Sequence, residues 1–303
     1  MKKIPVWKNV ILLVSVLVVI IIATFAWFIT GQNVSTVNMD VHVGKATYVQ
    51  VSGDEGNNWS EDLDVDIGVN NNFKEISGNG TSFFAPVYDG VRGSDGVYST
   101  QLVSFEKVAD NVKYYEHTFE FRSDTTQDVY LAPESCVTSV GGQGNSYIDG
   151  AVRVAFFELD DAGNETLKYI WAPNSNVEYS AETNSFTREG TVEPYYYYQK
   201  SVTPVDVSAL EASNANAAVI STANTDETGC GYDPANKFLW TSEGNMPADA
   251  PAILRLDASN ADGHVHKKMV VRVWLEGHDR ECVSLLSGQR FTMELQFNAQ
   301  EVE

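Results

Sequence analysis

Three carboxylates crowd one short stretch near the C-terminus: Glu276, Asp279 and Glu281 in Trp274-Leu-Glu-Gly-His-Asp-Arg-Glu-Cys282. Carboxylates gathered on a turn are satisfied by backbone N–H groups or by a hard cation such as calcium, so these three form a candidate cation site. The alternative is a structural turn, in which Gly277 permits a bend that a side chain would obstruct. A second acidic run, Glu61-Asp-Leu-Asp-Val-Asp-Ile-Gly68, offers Asp62, Asp64 and Asp66. It departs from the EF-hand pattern, because Ile67 stands where that loop needs its glycine and Phe73 where it needs its bidentate glutamate. Leu63, Val65 and Ile67 alternate with the aspartates, so an acidic-faced strand is expected, with weak calcium binding as the functional alternative.

His264-Val-His266 puts two imidazoles on one face of an extended segment. That geometry can hold a metal, but no third ligand follows at a recognisable spacing, so a solvated strand start is expected and no metal site is assigned. His278-Asp279-Arg280-Glu281 lacks the second histidine, one helical turn away, that a zinc protease needs. The chain also lacks a Gly-x-Ser-x-Gly elbow and a phosphate-binding glycine loop. Carboxylate pairs for glycoside cleavage are defined in space, and spacing alone does not locate them. These observations point away from an enzyme and to no cofactor other than calcium. Tyr195, Tyr196, Tyr197 and Tyr198 would put two rings on each side of an extended chain, either as a sugar-stacking platform or as the buried edge of a sandwich. Cys136, Cys230 and Cys282 lie far apart with no CxxC pair; one disulfide with a free thiol and three reduced thiols both fit.

The elements that must carry these residues read as strands. From residue 33 onward the pattern has period two, with short runs separated by Gly, Asn, Asp and Ser. Met39, Val41 and Val43 alternate with polar residues, as do His117, Phe119 and Phe121, and Phe291, Met293, Leu295 and Phe297. Val152 to Phe157 and Leu167 to Trp171 flank Asp160-Asp-Ala-Gly-Asn-Glu165, a hairpin signal with Gly163 suited to positive φ. Met269 to Leu275 is bulky on both faces, which predicts a central strand. Only Val205 to Ile220 reads as helical, inside a Ser/Asn/Ala/Thr-rich insertion near 205–228. The expected architecture is all-β, a jelly-roll-like β-sandwich over residues 32–303 with a helix on its rim.

Residues 1–31 read differently. Lys2, Lys3 and Lys8 precede an uncharged apolar run of about 19 residues, Val10 to Phe28, long enough to span a bilayer. Lysines before the run and none just after it place the following domain outside the cell. Thr24 and Ala26 put small residues where a signal peptidase cutting between Ala26 and Trp27 needs them; a retained transmembrane anchor fits as well. The formal charge of −21, from 41 acidic and 20 basic residues, repels nucleic acid and anionic headgroups and suits an extracellular surface.

Ala23-Thr-Phe-Ala-Trp-Phe-Ile-Thr30, followed directly by an alternating strand, resembles the start of TasA/camelysin-like exported proteins. The segment Val273 to Cys282 with its final Phe-x-Met-x-Leu-x-Phe strand is similar to the C-terminal end of clostridial relatives sharing that N-terminus. The resemblance covers roughly a quarter of the chain. It implies a jelly-roll subunit of the cell surface or biofilm matrix, processed after Ala26 by a SipW-type signal peptidase and in some members assembled by strand donation. The protease activity in the name camelysin has no motif here to carry it. The expected partners are further copies of the chain or other surface proteins, and the membrane through the N-terminal helix; an anchored carbohydrate- or protein-binding module is the alternative.

Overall fold

The computed structural model describes residues 34–43, 49–65, 72–92, 98–109, 113–132, 135–140, 147–173, 177–180, 182–188, 197–199, 207–212, 237–239, 251–259, 262–277, 279, 281–283, 286 and 288–302. The strands in chain order are β1 (Val34–Val43), β2 (Gln50–Ser52), β3 (Asp62–Val65), β4 (Asn72–Phe73), β5 (Glu75–Gly78), β6 (Phe83–Arg92), β7 (Tyr98–Lys107), β8 (Tyr115–Ser123), β9 (Gln127–Leu131), β10 (Cys136–Val140), β11 (Val152–Leu159), β12 (Glu165–Trp171), β13 (Val177–Ser180), β14 (Ser185–Arg188), β15 (Tyr197–Gln199), β16 (Lys237–Leu239), β17 (Leu254–Leu256), β18 (Ala258–Ser259), β19 (Val265–Glu276) and β20 (Arg290–Glu301). The helix α1 (Val207–Ala212) is short, so the described chain is all-β.

Two sheets dominate. In the first, the order is β17-β9-β20-β1-β3, with β10 on the early part of β20 and β4 on the start of β1. In the second, β19 is central: β11 and β12 lie on one side, and β8 with β2 on the other. Beyond the end of β8, β5 runs parallel to the last residues of β19 and continues into β6 and β7.

Alternation explains why the sheets face each other. Met39, Val41, Phe291, Met293, Leu295 and Phe297 of the first sheet share one core with Phe119, Phe121, Val154, Phe156, Met269, Val271 and Val273 of the second. Phe297 meets Phe121 edge-on at 5.4 Å between ring centroids, an arrangement favoured by the ring quadrupoles.

The outer face of the second sheet is buried too. Ala155, Phe157, Ile170, Val270 and Trp274 pack against Ile76, Phe83, Ala85 and Tyr114 in a second core. Outside it, Phe84, Phe105 and Leu210 form a small third cluster. This accounts for β11 and β19 being bulky on both faces: their even and odd residues feed different cores. It also corrects the position expected for the helix. Among its described residues, α1 covers the β6–β7 hairpin with Leu210 and so belongs to this outer layer; the rest of the insertion near 205–228 lies outside the described residues.

Arg272 shows how a charged residue sits on the outer face of a buried strand. Its guanidinium reaches Glu165 at 2.7 Å and 2.8 Å, Glu116 at 2.5 Å and the Gly80 carbonyl at 3.1 Å, and lies over the Phe157 ring. Burial works against the charge, but the carboxylates of Glu165 and Glu116 more than offset it and raise the pKa. The predicted hairpin after β11 is present: Gly163 has φ +84°, and the Asp160 carboxylate accepts hydrogen bonds from the backbone N–H groups of Ala162 and Asn164. No helix among the described residues is long and apolar enough to cross a membrane; residues 1–31, with Ala26 and Trp27, lie outside them.

Candidate functional site

The turn after β19 gathers the first carboxylate set in a buried position. Glu276, Asp279 and Glu281 are 1%, 2% and 5% exposed, so each must find a donor or be protonated. Each finds protein donors. Ser77 Oγ donates to Glu276 Oε1 at 2.6 Å, and the Trp274 indole N–H donates to Oε2 at 3.0 Å. Asp279 pairs with the buried Arg153 and accepts from the Glu281 backbone N–H at 2.9 Å. Glu281 accepts from the Tyr179 backbone N–H at 3.0 Å. The segment is therefore a turn tied into β5, β11 and β13 by its own carboxylates, and the cation reading loses its motivation there.

Gly277 is not required by sterics. A methyl group there would meet Glu75 Cβ and the Ile76 backbone at 3.5 Å, ordinary contact distance, and the backbone φ is not positive. The glycine's place is set instead by its N–H, which donates to the Ile76 carbonyl at 2.8 Å. Cys282 lies buried in the same region. Burial raises its thiol pKa well above the ordinary value, with the carboxylates of Glu75, Asp279 and Glu276 adding to the shift. A thiol held protonated in this way is a poor nucleophile. Cys136 is also free, its pKa raised by burial, and Cys230 lies outside the described residues.

The acidic strand is present as β3. Asp62 and Asp64 are exposed and Leu63 and Val65 pack against the main core, as alternation requires; Asp66 lies outside the described residues. β3 pairs antiparallel with β1, setting Asp64 opposite Asp40 and Asp62 opposite His42. Of the tyrosine run, Tyr197 and Tyr198 fall in β15, paired with Leu239 and Phe238 of β16; Tyr195 and Tyr196 lie outside the described residues. Among the described residues, no three His, Cys, Asp or Glu side chains stand close enough together to hold a metal ion.

Two features were missed by sequence reasoning. The first is the place of β1. It is not an edge: it runs parallel to β20, from Ser35 beside Arg290 to Val43 beside Phe297, and its other edge is taken by β3 and β4. Met39 and Val41 are fully buried in the core, and the register shifts between Thr36 and Met39. Alternation in Val37–Val43 announced a strand, but nothing in a single sequence says that the first strand sits beside the last. The second is a groove of about 390 Å³ lined by Glu120, Asp160, Asp161, His266, Lys267 and Lys268 among others, at the start of β19. Its signal was His264-Val-His266, whose partners come from segments distant in sequence. No protein-family model, curated protein or solved structure matches the chain.

Proposed function

We propose that this chain is an exported, non-catalytic structural subunit of a bacterial cell surface or matrix, a jelly-roll-like sandwich whose first strand is donated to a neighbouring copy. The observation that carries the reading is the position of β1, which occupies an interior slot between β20 and β3/β4. As the first strand, directly after the apolar segment, β1 can leave its slot and re-enter another without any other strand being unthreaded. Parallel pairing along β20 supplies backbone hydrogen bonds, and the burial of Met39 and Val41 supplies about 1.5–3 kcal/mol each, a bonding pattern that an identical strand reproduces in trans.

Export through residues 1–31 and cleavage between Ala26 and Trp27 by a SipW-type peptidase release the strand; before cleavage the chain is tethered to the membrane. The charge of −21 keeps such subunits soluble until strands exchange and makes nucleic acid an unsuitable partner. Deleting residues 27–45 abolishes polymerisation, and a peptide spanning Val34–Val43 supplied in excess caps the open slot. Fibres that persist after the deletion overturn the proposal. N-terminal sequencing of the mature protein gives Trp27 as its first residue; an intact Met1 points instead to an anchored binding module for a sugar or protein.

A further inference from the structure

We infer that Asp262, His264 and His266 form a binding site for a divalent first-row transition metal of the zinc class, at the turn that leads into β19. Val265 points into the main core, so His264 and His266 both project from the opposite face, with ring centroids 6.3 Å apart. Each imidazole has a carboxylate on its Nδ1: His264 with Asp124 at 2.8 Å, and His266 with Glu120 at 3.1 Å. A carboxylate on one ring nitrogen is the device by which proteins orient a metal-binding histidine, since it holds the proton on Nδ1 and leaves the lone pair on Nε2.

The third donor is already beside one of these nitrogens. Asp262 Oδ2 lies 2.9 Å from His266 Nε2, and the backbone N–H of His264 donates to Oδ1 of the same carboxylate at 3.1 Å. A nitrogen and an oxygen bound to one tetrahedral zinc at 2.0–2.1 Å stand roughly 3.3 Å apart, so this pair is near coordinating separation as it is. Glu120 and Asp262 thus face the two ring nitrogens of His266. His266 is further fixed by Trp59, edge-on at 5.2 Å, under the Arg122 guanidinium.

His264 completes the set. It is the more exposed of the two, about one third exposed, and follows Gly263 at φ +86°. The two rings, with centroids 6.3 Å apart, must draw closer for both Nε2 atoms to reach one ion, since the three donors are not gathered as they stand. Two imidazoles and one carboxylate select zinc, cobalt, nickel or copper over calcium and magnesium, which prefer all-oxygen sites. In sequence the motif is Asp-x-His-x-His, while the orienting Asp124 and Glu120 come from β8 and the turn after it.

The test is titration of the full chain with Zn²⁺ by calorimetry and with Co²⁺ by absorption. One ion binds per chain at micromolar affinity or tighter, and the cobalt spectrum shows nitrogen and oxygen ligation. His264→Ala, at the exposed ligand, weakens binding at least ~10-fold with the circular dichroism spectrum unchanged, and Asp124→Asn weakens it about 10–100-fold. Excess Ca²⁺ or Mg²⁺ does not compete. Absence of one-to-one binding, wild-type affinity in His264→Ala, or a thiolate charge-transfer band assigning the ion to cysteine overturns the inference.

Discussion

Arg153 is the residue on which the acidic turn depends. It is 2% exposed, and its guanidinium donates to the Gly150 and Val152 carbonyls as well as to Asp279, which lies 126 residues away in sequence. Removing one partner of such a pair leaves a buried charge uncompensated. Asp279→Ala should therefore lower stability by about 3–5 kcal/mol, read from urea unfolding, whereas Arg153→Met with Asp279→Leu should cost much less than the two single changes together. A loss below about 1 kcal/mol for Asp279→Ala would show the pair to be dispensable. His117 gives a pH signature. Burial lowers its pKa, opposed in part by its hydrogen bond to the Gly53 carbonyl at 3.1 Å. The folded state then favours neutral imidazole and the unfolded state takes the proton first, so its contribution is full above about pH 6.5 and is lost as pH falls below that value. Unfolding free energies between pH 7.5 and 5 should fall more steeply for the wild type than for His117→Phe. At this scale, carboxylates and histidines were legible as residue types, but their partners were not. Asp279 needs Arg153, His264 needs Asp124, and only the fold brings them together.

The turn between β5 and β6 decides whether the outer layer closes. Asn79 Oδ1 accepts from the N–H groups of Thr81 and Ser82, and Gly80 has φ +85°. At Gly78 an added methyl would lie 2.4 Å from Phe83 Cδ1 and 2.5 Å from the Ser82 carbonyl oxygen, and a backbone oxygen cannot turn aside as a side chain does. Gly78→Ala should cost about 3 kcal/mol and accelerate amide exchange in β6 and β7 ahead of β11 and β8. Uniform loss across both layers would instead make the outer hairpin part of a single cooperative unit with the sandwich. The strands themselves were largely readable, because a buried face imposes period two: β20 alternates from Phe291 to Phe297 as expected, and the two-faced β19 is central. The second core was not readable. Phe83 and Phe84 are adjacent and feed different clusters, so they present no alternation, and their packing partners Trp274 and Phe105 lie far along the chain.

For the whole molecule, the question is whether the sandwich exists without β1. If β1 is an integral strand, disrupting it unfolds everything, because Val41 touches the same core as Phe119, Phe156 and Phe297. If β1 is a donated strand, the remaining strands must form a cooperative body with an open slot between β20 and β3. The strands of the second sheet and β9, β10 and β20 keep their pairings without β1, whereas β3 and β4, among the described strands, pair only with β1. β19 pairs with β11 on one side and β8 on the other along most of its length, and β20 retains β9 and β10 on the edge opposite β1. Val41→Asp separates the cases, since a carboxylate in that core cannot be solvated and has no placed cation, so β1 is driven out of its slot. The variant should keep a β-sheet circular dichroism spectrum and a cooperative, lowered unfolding transition. It should also bind a Val34–Val43 peptide of wild-type sequence one-to-one, because the vacated slot still presents the β20 edge and the holes for Met39 and Val41. Loss of the transition altogether would mean that β1 is part of the folding unit, and strand donation would then have to occur before the subunit folds.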